Sequence, residues 1–303
     1  METNLGQALE GTVARLENGK SGSPRPDAEE MIGRLLGLSR AELYLARHRA
    51  LSPAEGATLR EWVSRRVAGE PVQYITGRAA FRGLDLAVTQ RVLIPRPETE
   101  LLVEAVLEIL RAERARWLAP RVLDLGTGSG AIALALAEEW PRAIVTASDV
   151  SEAALDVAKV NASELNLADR VRFLQGHWFD AVPGDERFEV VVANPPYIAR
   201  DEEESLPFDV RRHEPSLALF SGASGLEALR EIVDHAPIHL VAGGLLALEL
   251  AEARAHEVSA WLEGSRDWEE VSVRDDLTGR PRVLRARRQR GPAIAPAQWG
   301  EDR

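Results

Sequence analysis

The stretch Val122 to Gly130, V-L-D-L-G-T-G-S-G, restricts this chain more than any other. An apolar run of strand length breaks into glycines at alternate positions, and A-I-A-L-A-L-A-E-E follows at once as a helix. A strand that turns straight into a helix belongs to alternating α/β architecture. In open sheets of that kind, ligands sit beyond the carboxyl ends of the strands, where the strand order reverses. Gly126, Gly128 and Gly130 let the main chain approach a ligand because no Cβ intervenes. The helix start adds free N–H groups. Thr127 and Ser129 complete the candidate cradle. The loop is shorter than the dinucleotide G-x-G-x-x-G pattern, so a small carboxylate suits it better than a pyrophosphate. The next strand ends at Asp149, 23 residues after Gly126. A carboxylate there can accept both hydroxyls of a ribose. The glycines alone fit a structural turn equally well; Asp149 is what favours a nucleoside.

A second apolar run, Val191 to Ala193, stops at Asn194-Pro195-Pro196-Tyr197. The prolines fix φ and remove two N–H donors, so the carbonyls of the turn have no local partners. With the Asn194 side-chain oxygen and the Tyr197 ring, they make a pair of acceptors beside an aromatic face, which suits a planar –NH₂ group. The nitrogen of an amide or aryl amine is a poor nucleophile, because its lone pair is delocalised. Acceptors on both N–H groups hold it and turn the lone pair towards an electrophile, and positioning of this kind supplies most of the rate. Asn-Pro also starts ordinary turns. The motif lies about 65 residues after the glycine loop, on the fourth strand, which a doubly wound sheet places beside the first. The two motifs are therefore expected to meet.

The rest of the chain fits around these segments. Leu5, Leu9, Val13 and Leu16 recur at helical spacing. Asp27 can cap a helix that stops at Gly37. Ser39 to Glu42 and Ser52 to Glu55 match the capping box, with Pro53 at the first helical position. From Pro71, V-Q-Y-I-T-G, R-A-A-F-R and L-D-L-A-V alternate and predict a short hairpin. I-P-R-P-E-T-E (Ile94 to Glu100) opens an amphipathic helix. From residue 121, strands are expected at 121–126, 143–148, 171–175, 188–193, 244–250, 269–274 and 282–287. Helices are expected near 129–139, 151–165, 223–240 and 252–263. The last two strands have no helix between them and read as an antiparallel edge hairpin. Trp178 follows the third strand and suits either an adenine ring or the core. His177 is given no proton-transfer role.

Composition narrows the function classes. There is no cysteine among 303 residues, which excludes disulfides, thiolate metal sites and a cysteine nucleophile. No metal is expected. The N-terminus lacks the pattern of a secretory signal, and no stretch is long and apolar enough to span a bilayer. A cytoplasmic monomer with no membrane partner is expected. Residues 1–90 carry 12 Arg/Lys and 11 Asp/Glu, about +1, and the remainder carries 25 and 37, about −12, summing to the net −11. An acidic body argues against gripping nucleic acid by its phosphates.

Taken together, L-D-L-G-T-G-S-G, Asp149, N-P-P-Y, E-P-V-Q-Y-I-T-G (Glu70 to Gly77), I-P-R-P-E-T-E and H-E-P-S-L-A-L-F-S-G-A-S-G-L (His213 to Leu226) resemble the HemK/PrmC family. These are peptide chain release factor glutamine N5-methyltransferases. The resemblance runs from about residue 25 to 288. It implies a Rossmann-like class I methyltransferase domain, with a seven-stranded mostly parallel sheet and an antiparallel edge hairpin, preceded by a small helical domain. It implies S-adenosyl-L-methionine as cofactor and, as substrate, the glutamine of a Gly-Gly-Gln motif in release factors that act in translation termination. Carried over, Gly126, Thr127, Gly128, Ser129, Gly130, Asp149, Trp178 and Asn194 contact the cofactor. Asn194, Pro195, Pro196 and Tyr197 bind the glutamine, with Asn194, Pro195 and Tyr197 catalytic. The expected division is a helical substrate-recognition domain over 1–75, a hairpin linker over 76–92, the methyltransferase domain over 93–290 and a flexible tail over 291–303. Two positions depart from the family pattern. His177 stands where an acidic residue is usual, and L-A-E-A-R-A (Leu250 to Ala255) replaces a segment with glycine and glutamine.

Other readings stay open on the residues alone. An amino-methyltransferase acting on adenine in DNA or RNA would use N-P-P-Y in the same way. A nucleotide-binding protein or dehydrogenase would use the glycine loop and Asp149 but leave N-P-P-Y idle. Arg96 and Glu98 either help close the site or form an ordinary helix start.

Overall fold

The fold is known from a computed structural model, which describes residues 4–19 and 21–290. The expected tail over 291–303 lies outside the described residues. Internal contacts gather the chain into two units. One runs to Ile94 and includes Asp201–Ser216; the other is Pro95–Arg200 with the chain from Leu217 on.

The first unit is built from α1 (Leu5–Glu17), α2 (Pro24–Leu36), α3 (Arg40–Leu45), α4 (Pro53–Val67) and α5 (Val72–Thr76), with the hairpin β1 (Arg78–Phe81) and β2 (Leu84–Ala87). Asn4, Ser39 and Ser52 each form a capping box, bonding the third helical N–H while the Gln or Glu there bonds back. Short helices gain their stability from packing rather than propensity. Leu5, Leu16, Met31, Ile32, Leu59 and Val63 form the shared core.

Two expectations change here. The V-Q-Y-I-T-G segment is helix α5, not a strand. Its alternation is real, but Val72, Tyr74 and Ile75 are buried on one side of a single helical turn that ends at Gly77. Asp27 does not cap α2, which starts at Pro24 after Ser23. It is buried within the helix, accepts the Ser21 hydroxyl at 2.6 Å and pairs with Arg66 Nε at 2.6 Å. By internal contacts the hairpin and Asp201–Ser216 group with the helices. Arg34 pairs with Asp85 of the hairpin at 2.7 Å, and the Tyr74 hydroxyl donates to the Val92 carbonyl at 2.6 Å.

The second unit continues with α6 (Pro97–Ala112), β3 (Arg121–Leu125), α7 (Ala131–Glu139), β4 (Ile144–Asp149), α8 (Glu152–Glu164), β5 (Val171–Gln175) and β6 (Phe188–Ala193). Next in the chain come α9 (Phe208–His213), which belongs to the first unit, and α10 (Ser216–Leu219). The chain closes with α11 (Glu227–His239), β7 (Leu240–Glu249), α12 (Glu252–Glu263), β8 (Trp268–Asp275) and β9 (Pro281–Arg288). The seven strands from β3 on form one sheet in the order β5-β4-β3-β6-β7-β9-β8. The pairs from β5 to β7 are parallel, and β9 pairs antiparallel with both β7 and β8. The strand order reverses between β4 and β6, on either side of β3.

Side chains alternate across a strand, so each strand serves two cores. Leu123, Leu125, Val191, Ala193, Leu246, Leu248, Leu284 and Ala286 pack against α11 and α12. The alternate residues meet α6 and α7, which also pack on each other. Leu102, Val103, Val106 and Leu110 of α6 are fully buried there.

The Asp27–Arg66 pair is the most exposed to mutation in the first unit. Replacing Asp27 with alanine leaves a buried guanidinium without its carboxylate and is expected to cost about 3–5 kcal/mol. Urea unfolding of the full chain reads this as a lower midpoint. The double change Asp27→Leu with Arg66→Met is expected to recover most of it.

Candidate active site

Parallel register sets the site. Leu125 pairs with Ser148 on one side and with Ala193 on the other, and Ala193 pairs with Leu248. The next residue of each strand is therefore Gly126, Asp149, Asn194 and Glu249. They stand in one row across the carboxyl ends of β3, β4, β6 and β7. The glycine loop and N-P-P-Y meet in this row.

The glycine loop is tied from three sides. Thr127 N–H donates to the Ser148 carbonyl at 2.9 Å, and the Thr127 hydroxyl donates to Asp124 Oδ2 at 2.6 Å. The Asn161 amide of α8 donates to the Ser129 carbonyl at 2.8 Å. Gly128 N–H donates to Asp149 Oδ2 and Ser151 N–H to Oδ1, both at 2.9 Å. The Asp149 carboxylate thus holds backbone N–H groups on both oxygens, with acceptor capacity left for a ligand. Gly128 has φ +56°, and a Cβ there would enter open space. The open space is the face of the cradle. Burial raises the Asp149 carboxyl from its ordinary value, against the backbone bonds that lower it. Asp124 is fully buried and pushed up to about 7 by the same cause.

Trp178 takes a left-handed backbone, φ +43°. Its ring lies over Gly126, where a Cβ would stand 3.2 Å from the indole Cζ3. The same ring packs against the Leu125–Phe179 core. The core reading of Trp178 thus holds, and the ring also lies against the glycine loop. His177 turns away to Glu231, with Nδ1 3.2 Å from Oε1.

At N-P-P-Y, Asn194 Nδ2 donates to Thr99 Oγ1 at 3.1 Å. Thr99 is in the first turn of α6, which alternation places on the same face as Asn194 and Glu249. The Tyr197 hydroxyl reaches Glu249 Oε1 at 3.5 Å. Burial, then the Glu249 charge, raise the Tyr197 phenol above its usual range, so it stays neutral. Arg96 and Glu98 are close enough for their charges to act on that hydroxyl. The motif I-P-R-P-E-T-E is therefore both a helix start and part of the site's wall, with Thr99 the residue that touches Asn194.

After Tyr197 the chain pairs with a neighbouring segment. Ile198 N–H donates to the Leu219 carbonyl at 3.2 Å, and Ser221 N–H to the Ile198 carbonyl at 2.9 Å. Gly225, φ +76°, fits flush against this strand: a Cβ there would lie 2.5 Å from the Tyr197 carbonyl oxygen. This contact accounts for the F-S-G-A-S-G run. Sequence reasoning missed Thr99, Glu249, Asn161 and Gly225. Thr99 and Gly225 lay inside motifs already singled out, while Asn161 and Glu249 carried no signal short of the sheet register.

Comparison with known proteins places this architecture. Residues 7–77 match the PrmC N-terminal domain, and residues 98–207 the methyltransferase small domain. The chain is 43% identical to the release factor glutamine methyltransferase of Moorella thermoacetica over 94% of its own length and 99% of that protein's. It is 44% identical to the one from Bordetella pertussis, over 86% and 94%. Among solved structures, the catalytic domain of hMettl16 in complex with a MAT2A 3′UTR hairpin matches with TM-score 0.53 at 15% identity, over 82% of this chain and 87% of that one. That likeness concerns the fold alone. With identity above two-fifths spanning nearly the whole of its relatives, the chain belongs to the release factor glutamine methyltransferase family.

Proposed function

We propose that this protein methylates the side-chain amide nitrogen of the glutamine in the Gly-Gly-Gln motif of peptide chain release factors, using S-adenosyl-L-methionine, as a monomer in the cytoplasm. The observation that carries the reading is the register row, which seats an amide acceptor, Asn194, next to a nucleoside cradle, Gly126 and Asp149. Family membership supports the substrate. The net charge of about −12 beyond residue 90 supports a protein substrate over a nucleic acid.

The residues fit the cofactor. Gly126 to Gly130 offer backbone without Cβ to the methionine end, the acceptor capacity left on Asp149 suits the ribose hydroxyls, and Trp178 walls the side. When bound, the cofactor supplies a methyl on a sulfonium, an electrophile of high reactivity. The protein does the rest. Asn194 Oδ1 and the Pro195 carbonyl accept the two N–H bonds of the glutamine amide, Pro196 stiffens the turn, and the Tyr197 ring lies along the amide plane. Held so, the nitrogen directs its lone pair at the methyl carbon. With the cofactor bound, the nitrogen–carbon bond would form as the carbon–sulfur bond breaks, and the N-methylated amide cation would give its extra proton to water. No strong base is needed. The helical unit supplies recognition of the release factor.

Methyl-labelled cofactor is incubated with a bacterial release factor, either wild type or with its Gly-Gly-Gln glutamine changed to alanine, and in parallel with DNA or RNA. Label is expected on the wild-type factor only. Label on nucleic acid instead would sink the reading. Asn194→Ala is expected to lower kcat by roughly 10²–10³-fold, the scale of losing one preorganised transition-state contact. By contrast, Asp149→Ala is expected to weaken cofactor binding, measured by calorimetry, by about 1.5–3 kcal/mol, the range for hydrogen bonds to a charged group.

A further inference from the structure

Thr99 and Glu249 take no part in the reaction as derived, yet both are buried in the row of strand ends. Glu249 is 1% exposed, and its Oε2 is buried without a hydrogen-bond partner among the described residues. A carboxyl group kept in such a place needs a reason, since burying charge is costly. Its Oε1 receives the Tyr197 hydroxyl at 3.5 Å. The Thr99 hydroxyl is near enough to the carboxylate to favour its ionised form. Thr99 Oγ1 in turn accepts Asn194 Nδ2–H at 3.1 Å.

We propose that Glu249, acting through Thr99, fixes which way the Asn194 side-chain amide faces, and so is a positioning residue for the amide clamp. This rests on the reading of Asn194 given above. The argument is one of proton inventory. A threonine hydroxyl has one proton. Ionised Glu249 only accepts, so it takes that proton and leaves Thr99 Oγ1 with lone pairs alone. Asn194 must then present its –NH₂ to Thr99, and its Oδ1 falls on the opposite branch, free for a substrate N–H. Protonated Glu249 can donate to Thr99 instead. The Thr99 proton is then released towards Asn194, which turns its oxygen inward and presents –NH₂ outward. An –NH₂ facing a substrate –NH₂ offers no acceptor, and the clamp fails. Thr99 and Glu249 thus set the polarity of the clamp without touching the substrate.

The groups facing Glu249 are Thr99 and Glu98 from α6, Tyr197 after β6 and Arg282 from β9. Burial dominates and pushes its carboxyl up to about 7, with Glu98 adding to the rise and Thr99, Arg282 and Tyr197 opposing it. The ionised form is the competent one. Activity therefore rises with pH through about 7 and is lost below, far from where an ordinary glutamate titrates.

Two readouts test this. The chain has five asparagines, so selective ¹⁵N labelling gives few side-chain amide pairs, and Asn194→Asp identifies the one needed. In the wild-type protein, with no substrate present, the Asn194 amide pair is expected to shift with the Glu249 carboxyl signal at a common midpoint. Thr99→Val is expected to abolish that shared titration, and Thr99→Ser to keep it. In the transfer assay, Thr99→Val is expected to lower kcat about tenfold, the effect of losing one hydrogen bond of about 1.4 kcal/mol, with the cofactor KM held, and Thr99→Ser to restore it. Glu249→Gln, close in shape, is expected to flatten the acid limb of the kcat profile. A merely structural role for Glu249 would change melting temperature but leave that limb in place. An Asn194 pair that stays flat across the titration and is unmoved by Thr99→Val would overturn the proposal. Shared titration in a protein that transfers no methyl to release factor would keep the relay and sink the substrate reading instead.

Discussion

The site depends on a single alignment: the pairing of Leu125 with Ser148 and Ala193, and of Ala193 with Leu248. A parallel sheet buried on both faces specifies its register strongly, because a slip of one residue carries every side chain to the wrong face. The cores on the two faces are different in kind. One is filled by α11 and α12, the other by α6 and α7, so neither can accept the other's residues. This is why Gly126, Asp149, Asn194 and Glu249 end level. Cradle and clamp are neighbours because apolar packing far below them leaves no other pairing.

A second regularity is the placement of acids. Asp124, Asp149 and Glu249 all lie at strand ends on or near this row, and burial raises the carboxyl of each. Their partners differ. Asp149 is held by backbone N–H groups of the loop that it helps to shape, and one oxygen of Asp124 by the Thr127 hydroxyl. Glu249 faces the hydroxyls of Thr99 and Tyr197, with the charges of Arg282 and Glu98 beyond them. Backbone donors cannot reverse direction, whereas hydroxyls can. At Asp149 the cradle is therefore held by bonds with a fixed sense, and the clamp by bonds whose sense depends on where a proton sits.

Much of this was legible before any coordinates. The glycine loop between strand and helix, the strand ending at Asp149 and the N-P-P-Y stop all follow from local chemistry, and their meeting follows from strand order. What could not be read were contacts made by tertiary packing. Asp27 looks like a cap because Asp before an apolar helical pattern usually is one; its partner, Arg66, is 39 residues away. V-Q-Y-I-T-G alternates as a strand does, but one helical turn between Pro71 and Gly77 buries the same residues. Thr99 and Glu249 are unremarkable in sequence, one in a helix start and one in a buried strand. Only the register and the face of α6 bring them to Asn194.

Gly225 carries a consequence of its own. The strand that leaves Tyr197 touches that glycine main chain to main chain, with no side chain to bend between them. Contacts made through side chains wander with rotamer and tolerate substitution. Two backbones in contact keep one separation, as a machinist's gauge block does. The Tyr197 carbonyl at the end of the N-P-P-Y turn is thus set against Gly225 at a spacing that a residue with a Cβ cannot reproduce. A methyl at position 225 would have to push the chain after Tyr197 out of place.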